Sequence, residues 1–139
     1  METSMDGVFA CGNVCHVHDL VDFVTGESQK AGRSAAKYIN DISNSNVTTI
    51  EINNGEGIFY TVPQKVRIEN MDSKLEIFFR VKSVEKNVII SISDEDGKII
   101  KEFKRPHVAP AEMEKIALTK KQFEAVSTNK VFISMKKGE

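Results

Sequence analysis

Short stretches of alternating apolar and polar residues fill the chain after residue 47, and they constrain the fold more than any other feature. In the clearest of them, Leu75, Ile77 and Phe79 are separated by single residues, and Val88 and Ile90 repeat the pattern. A period of two gives a β-strand one apolar face, so these stretches are typical of half-buried strands. We predict strands over residues 49–53, 57–62, 65–69, 74–83, 86–94, 98–105, 112–118 and 130–136.

Turn and cap signals lie between these stretches. Asp94-Glu95-Asp96-Gly97 predicts a tight hairpin, with Gly97 in the left-handed conformation that such turns require. Thr119 can cap one helical turn over residues 119–123. Seven or eight short strands in about 90 residues predict an antiparallel β-sandwich of immunoglobulin or fibronectin-III type. It contains no tryptophan and no cysteine pair, which excludes an antibody-type domain, and a barrel stays open as the alternative architecture.

A helix with a narrow apolar stripe is predicted before the strands, from Val21 or Asp22 to about Ile42. The stripe consists of Val21, Val24, Ser28, Ala31, Ala35 and Ile39. Gly32 costs a helix interior about 1 kcal/mol relative to alanine, so we expect it to permit close packing. The Asn- and Ser-rich residues 40–48 favour turns and mark the boundary between two units, residues 1–46 and 47–139.

A short apolar run lies between two glycines near the start of the chain, from Gly7 to Gly12. It is too short for a helix and predicts a buried strand. Gly12 permits a positive φ or a close approach by another molecule. Asn13 then lies at the strand's carboxyl end, which is where ligands of α/β sheets bind.

This segment, with Thr3 four residues before Gly7, follows the pattern T-x-x-x-G-V-F-A-x-G-N. It resembles the last flavin-contacting segment of the FAD-dependent pyridine nucleotide-disulfide oxidoreductases, and the following helix carries its glycine and paired alanines at that family's distance. The resemblance covers about the first forty residues. It implies that residues 1–46 are the C-terminal fragment of a Rossmann-like FAD-binding domain, and that the whole chain is the C-terminal part of a flavin-dependent NAD(P)H oxidoreductase.

The resemblance also implies which residues contact the cofactor. Gly12 and Asn13 would lie at a flavin hydroxyl or phosphate, and the amino end of the helix, at Asp22, Phe23 and Val24, would lie nearest the flavin ring. The family usually has aspartate where this chain has Asn13, which can bond a hydroxyl but brings no charge. The parent enzyme would use FAD and NAD(P), and its partners would be the remainder of the FAD domain or other oxidoreductase subunits. No catalytic residue is predicted.

Metal and redox chemistry find little support in the sequence. Cys11, Cys15, His16 and His18 are ligand types, but C-x₃-C-H-x-H matches no common zinc spacing, so we predict no metal site. We expect the two histidines to face the flavin or a substrate in the full enzyme, and His18 followed by Asp19 is a weak signal for an oriented base. Neither a C-x-x-C nor a G-x-G-x-x-G motif is present, so the isolated chain should bind no flavin and be inactive.

Composition and net charge limit the other classes of function that this chain could have. A formal charge of −1 gives no attraction to nucleic acid or anionic membranes. Two cysteines do not make a disulfide framework, and neither a signal peptide nor a membrane-spanning run is visible, so we expect a cytoplasmic protein. The alternative function is a non-catalytic β-sandwich that binds a ligand or docks a subunit. In either case the N-terminal segment could mediate self-association.

Overall fold

The computed structural model describes residues 1–3, 5–40, 47–71 and 73–138, and it is mostly β. Helix α1 spans Val21–Asn40, and the short helix α2 spans Lys120–Glu124. The strands are β1 Thr49–Asn54, β2 Ile58–Val62, β3 Lys65–Arg67, β4 Lys74–Val81, β5 Glu85–Asp94, β6 Ile99–Val108, β7 Glu114–Thr119 and β8 Lys130–Lys137. Each predicted strand is present, with ends that differ by a few residues.

The strands form two sheets rather than one closed barrel. One sheet has the order β3-β1-β8-β5-β6 and the other the order β2-β4-β7. Neighbouring strands are antiparallel except β1 and β8, which run parallel with Ile52 opposite Val131. The prediction of a wholly antiparallel arrangement is therefore wrong at this pair. Parallel neighbours require a long crossover connection, and here the strands from β2 to β7 provide it.

One hydrophobic core lies between the two sheets. Its members are the inward-facing residues of the alternating stretches, and Ile77, Phe79 and Ile90 are fully buried. Helix α2 adds Phe123 to the same cluster. The period of two therefore identified the core face correctly, because side chains of a strand point alternately to the two faces of a sheet.

The predicted turn and cap are both confirmed. Gly97 has a φ of 81°, and its N–H donates to the Asp94 carbonyl at 3.1 Å, which closes the turn between β5 and β6. The side chain of Gln122 accepts a hydrogen bond from the Thr119 N–H at 2.9 Å at the start of α2. This bond satisfies a backbone donor that the first helical turn leaves without an intrahelical partner.

The predicted strand between Gly7 and Gly12 is wrong. The segment makes one isolated β-bridge, between Glu2 and Phe9, and then a 3₁₀ helix over Gly12–Val14. A strand needs neighbours that pair with its backbone, and strands β1 to β8 pair among themselves. Of the predicted strand-helix fragment of an α/β domain, only the helix forms here. That helix spans Val21–Asn40 among the described residues, and its predicted end near Ile42, like most of the predicted boundary, falls on residues 41–46, which lie outside the described part of the chain.

The N-terminal segment, residues 1–3 and 5–40, lies against the outer face of the three-stranded sheet. The Phe23 and Phe78 rings are 6.2 Å apart, and Lys30 forms an ion pair with Glu76. At Gly32 an added Cβ would meet nothing within 4 Å, so the close packing expected there does not occur in this chain. Neither described helix is both long and apolar enough to cross a membrane.

Candidate functional site

Two histidines and a glutamate converge between α1 and the outer face of the three-stranded sheet. His16 Nε2 lies 2.7 Å from one carboxylate oxygen of Glu27, and His18 Nε2 lies 3.0 Å from the other. The histidines come from the loop that follows the 3₁₀ helix, and Glu27 comes from the second turn of α1. All three side chains are buried, with exposed fractions of 0%, 0% and 1%. We call these three residues the His–Glu cluster.

Aromatic rings form the walls of the His–Glu cluster. The Phe78 ring centroid lies 5.7 Å from that of His16 and 5.4 Å from that of His18. Phe23 lies 6.1 Å from His18, and Tyr60 lies 6.1 Å from His16. Such apolar surroundings exclude water and strengthen the electrostatic interactions among the polar groups that they enclose.

Glu27 is held as a carboxylate in this setting. Burial alone would raise the pKa of Glu27, but the hydrogen bonds from His16 and from the Gly12 N–H, together with the adjacent imidazole of His18, outweigh burial and lower it. The Gly12 N–H donates to Glu27 Oε2 at 2.6 Å. The 3₁₀ helix, the histidine loop and α1 are therefore joined through one buried negative charge.

Three imidazole nitrogens in the described structure are buried without a hydrogen-bond partner: Nδ1 of His16 and both ring nitrogens of His18. His18 Nε2 is the informative one, because it faces a Glu27 oxygen at 3.0 Å without the geometry of a hydrogen bond. Leaving such groups unpaired costs about 1–3 kcal/mol each. The His–Glu cluster therefore has unused coordinating capacity.

The two cysteines are not members of the His–Glu cluster. Cys11 and Cys15 are free and half-buried, and the ligand atoms that meet within 4.8 Å come from His16, His18 and Glu27. Burial raises the pKa of the Cys15 thiol, and the negative charge of Glu27 raises it further. Cys15 is thus held as a neutral thiol, the form that neither attacks electrophiles nor binds metals well.

The five residues predicted to contact FAD range from buried to exposed. Gly12 is buried with a φ of 71°, and an added Cβ would lie 3.6 Å from Val24, so these two residues meet. Asn13 and Asp22 are exposed. Phe23 is half-buried, and its N–H donates to the Leu20 carbonyl at 3.1 Å.

These positions fit part of a flavin. The first turn of a helix has backbone N–H groups without intrahelical partners that can bond a pyrimidine oxygen, although in α1 the Phe23 N–H is taken by the Leu20 carbonyl. The N–H of Gly12 is likewise taken, by Glu27. No glycine-rich loop after a strand offers a pyrophosphate cradle in the chain. The described residues therefore fit one edge of the cofactor and do not enclose it.

The weak signal that His18 and Asp19 form an oriented base has no counterpart in the described structure, because the Asp19 carboxylate makes no hydrogen bond with the His18 ring. The Asp19 carboxylate instead accepts hydrogen bonds from Arg80 at 3.1 Å and from the Met113 N–H at 2.9 Å. Arg80 also donates to the Val17 carbonyl at 2.9 Å. These bonds tie the histidine loop to β4 and to the connection before β7, and so they position the His–Glu cluster.

A cavity of about 260 Å³ lies beside the His–Glu cluster, between α1 and the three-stranded sheet. Aromatic side chains and cations share its lining, which includes Phe23, Tyr38, Arg67 and Lys115 as well as Glu27. Glu27 is thus the member of the cluster that reaches the cavity.

Glu27 is the residue that the sequence analysis missed. It lies three positions after Val24 and four before Ala31, so it falls on the apolar stripe of α1. A carboxylate on a buried helix face is almost never without a partner. That position was the available signal, and His16 and His18 were the partners to look for.

Comparisons of the chain with protein-family models, with curated proteins and with solved structures give no match.

Proposed function

We propose that this chain is the C-terminal part of a flavin-dependent NAD(P)H oxidoreductase. In this proposal residues 1–46 complete an FAD-binding domain and the two-sheet unit is an accessory. The T-x-x-x-G-V-F-A-x-G-N segment and the helix that follows it carry the resemblance. The parent enzyme would transfer a hydride between a nicotinamide and the flavin, and the flavin would pass the electrons onward.

The observation that carries the proposal is the exposure of apolar side chains along the N-terminal segment. Val14 and Val21 are 82% and 79% exposed. The large apolar residues exposed in this segment are Met5, Val8, Val14, Val17, Leu20, Val21 and Ile39, against Phe59, Val84 and Ile99 elsewhere in the described chain. This concentration of exposed apolar residues in one segment favours a surface that another protein covers. The remainder of an FAD domain is the partner that the resemblance implies.

The exposed residues also suit the roles that we assign. Asp22, Phe23 and Val24 lie at the amino end of α1, where N–H groups can bond the flavin ring. Asn13 is exposed beside Gly12, so its amide is free to reach a cofactor hydroxyl. In the complete enzyme the flavin would compete with Glu27 for the Gly12 N–H, and the loop would adjust around it.

We further propose that the two-sheet unit is a sandwich of the immunoglobulin or fibronectin-III kind. Two antiparallel trios, β2-β4-β7 and β6-β5-β8, face each other across one core, and the connections cross between them as in a Greek key. Strand β1 adds to β8 in parallel, which departs from the antiparallel pairing of that class. In this proposal the two-sheet unit docks another part of the enzyme and contributes no catalytic residue.

The test is flavin retention by the complete polypeptide that carries this segment. We expect stoichiometric flavin absorbance after purification and NAD(P)H-dependent reduction of an artificial electron acceptor. Gly12→Val should abolish FAD retention, and Asn13→Ala should weaken FAD binding by about 1–3 kcal/mol, the effect of one lost hydrogen bond. Asn13→Asp should retain FAD, because the related pattern carries aspartate there.

The matched control is Asn129→Ala, an exposed asparagine in the two-sheet unit. It should leave flavin retention unchanged. A complete polypeptide without flavin, or one in which Gly12→Val and Asn129→Ala behave alike, would contradict the proposal. The alternative, a non-catalytic docking module, would then stand.

A further inference from the structure

We propose that His16, His18 and Glu27 form a binding site for a divalent transition-metal ion such as Zn²⁺. The site goes beyond the proposed flavin function and uses none of the five residues predicted to contact FAD.

The donor set fits this class of ion. Two imidazoles and one carboxylate are the ligands of several three-residue zinc sites, and imidazole also suits iron, copper and nickel. Calcium and magnesium prefer sites made of oxygen ligands alone. The negative charge of Glu27 would offset part of the charge of the ion, so the buried site would not hold two unbalanced positive charges.

The geometry requires only a small adjustment. Ligand atoms about 2.0–2.1 Å from a tetrahedral ion lie about 3.3 Å from one another. The two histidine Nε2 atoms lie 2.7 and 3.0 Å from the Glu27 oxygens. Moving each nitrogen away from its oxygen by a few tenths of an ångström would make room for the ion. The three ligand atoms already lie within 4.8 Å of one another.

The buried nitrogen of His18 points to a cation. His18 Nε2 faces a carboxylate oxygen without donating a hydrogen bond to it. If that nitrogen carries its lone pair, two electron-rich atoms face each other at 3.0 Å, which is unfavourable unless a positive ion lies between them. A metal ion would satisfy both atoms at once. This is the observation that separates the cluster from an ordinary buried hydrogen bond.

Access and coordination number follow from the surroundings. Three protein ligands leave a tetrahedral ion one position for water. The cavity beside Glu27 supplies a path for the ion and space for that water. The Nδ1 atoms of His16 and His18 have no partner in the described structure, and such partners raise metal affinity by about 10–100-fold elsewhere. We therefore expect micromolar rather than nanomolar affinity.

The experiment is a calorimetric titration of the metal-free 139-residue chain with Zn²⁺, repeated with Mg²⁺. We expect one Zn²⁺ per chain and no heat of binding from Mg²⁺. His16→Ala and His18→Ala should each weaken Zn²⁺ binding by at least about tenfold. Glu27→Gln, which keeps the size of the side chain, should weaken it as well. His107→Ala is the matched control, because His107 is the third histidine of the chain and lies exposed on β6.

Two further variants test whether the cysteine thiols bind the ion instead. Cys11→Ser and Cys15→Ser should leave Zn²⁺ binding unchanged, and a loss of binding in either would assign the metal to the thiols and overturn the proposal. Absence of Zn²⁺ binding, or equal binding by the wild type and His16→Ala, would overturn it too. Thermal unfolding of each variant, followed by circular dichroism, shows that the two-sheet unit is intact. The titration contains no flavin, so its outcome is independent of the flavin assay above.

Discussion

At the scale of single residues, two neighbouring phenylalanines of β4 separate the core from the N-terminal interface. Phe79 points inward and is fully buried between the sheets. Phe78 points outward and contacts the rings of His16, His18 and Phe23. The same side chain, one position apart on a strand, therefore stabilises two different parts of the molecule.

This arrangement predicts opposite results for two alanine variants. Phe79→Ala should lower the free energy of unfolding of the two-sheet unit by about 3–5 kcal/mol, because it opens a cavity in the core. Phe78→Ala should change that free energy much less but speed amide exchange in residues 8–38. Urea unfolding and hydrogen exchange measure the two effects. Equal destabilisation of the core by both variants would mean that Phe78 is part of it.

The sequence allowed a good prediction of the first of these roles and none of the second. Alternation identified Ile77 and Phe79 as core residues, because a period of two is imposed by the strand itself. The contact of Phe78 with the histidines depends on how a separate loop folds over the sheet, which no local pattern encodes. Glu27 was missed for the same reason, although its place on the apolar stripe of α1 was visible.

At the scale of elements, α1 contains a glycine that nothing in this chain explains. Gly32 is exposed and has open space at its Cβ position. We predict that Gly32→Ala stabilises α1 by about 1 kcal/mol in the isolated chain, the difference in helix propensity. Ala36→Gly, at another exposed position of the helix, should destabilise it by a similar amount. Amide exchange within residues 21–40 measures both changes.

The same substitution should have the opposite effect in a complete flavoenzyme. If the rest of an FAD domain packs closely on α1, a methyl group at residue 32 would clash there and reduce flavin retention. A variant with stable helix and unchanged flavin would contradict close packing at this residue. The comparison separates the properties of the helix alone from those of the assembled domain.

Charge pairs attach the N-terminal segment to the sheets, and they predict its response to acid. Burial alone would raise the pKa of Glu2, but hydrogen bonds from Arg67 and the Gly7 N–H and the charge of Lys65 lower it below its ordinary value. Hydrogen bonds from Lys30 and Lys115 lower the pKa of Glu76 likewise, against the effect of burial.

Carboxylates with lowered pKa values stabilise the docked segment fully above their ordinary pKa and lose this effect as the pH falls through the lowered one. We therefore predict that the N-terminal segment detaches as the pH falls below the ordinary range of a glutamate carboxyl, about 4. Chemical shifts of the Phe23 and Phe78 rings, followed by NMR, report the change. In Arg67→Met the transition should be smaller, since one partner is missing at every pH. Rings that keep their shifts down to pH 3 would contradict this attachment.

Elements could be predicted only where their own sequence determines them. The eight strands, the turn at Gly97 and the cap at Thr119 each follow from local pattern and chemistry, and each is present. The run from Gly7 to Gly12 has the apolar content of a strand but makes only the isolated bridge of Phe9. Pairing partners decide whether such a run becomes a strand, and in the described structure this run does not pair with any of β1 to β8.

At the scale of the whole molecule, β1 joins the two ends of the two-sheet unit. It pairs with β3 on one side and, in parallel, with β8 on the other. Its Ile50 and Ile52 are buried in the core. Alternation predicted that β1 is a strand but not which strands it pairs with, because pairing between distant segments depends on the closure of the whole core.

Two shortened chains test the autonomy of this unit. A chain that starts at Val47 keeps all eight strands and the complete core, so we predict a single cooperative thermal transition.

A chain that starts at Gly55 lacks β1, which removes Ile50 and Ile52 and exposes the edge of β8. Each lost isoleucine side chain costs about 2–5 kcal/mol, a large part of the stability of a small domain. The second chain should therefore unfold without cooperativity or aggregate through the open edge. Circular dichroism and light scattering distinguish these outcomes. A cooperative transition in both chains would mean that β1 is dispensable, and failure of the chain from Val47 would mean that the N-terminal segment belongs to the same folding unit.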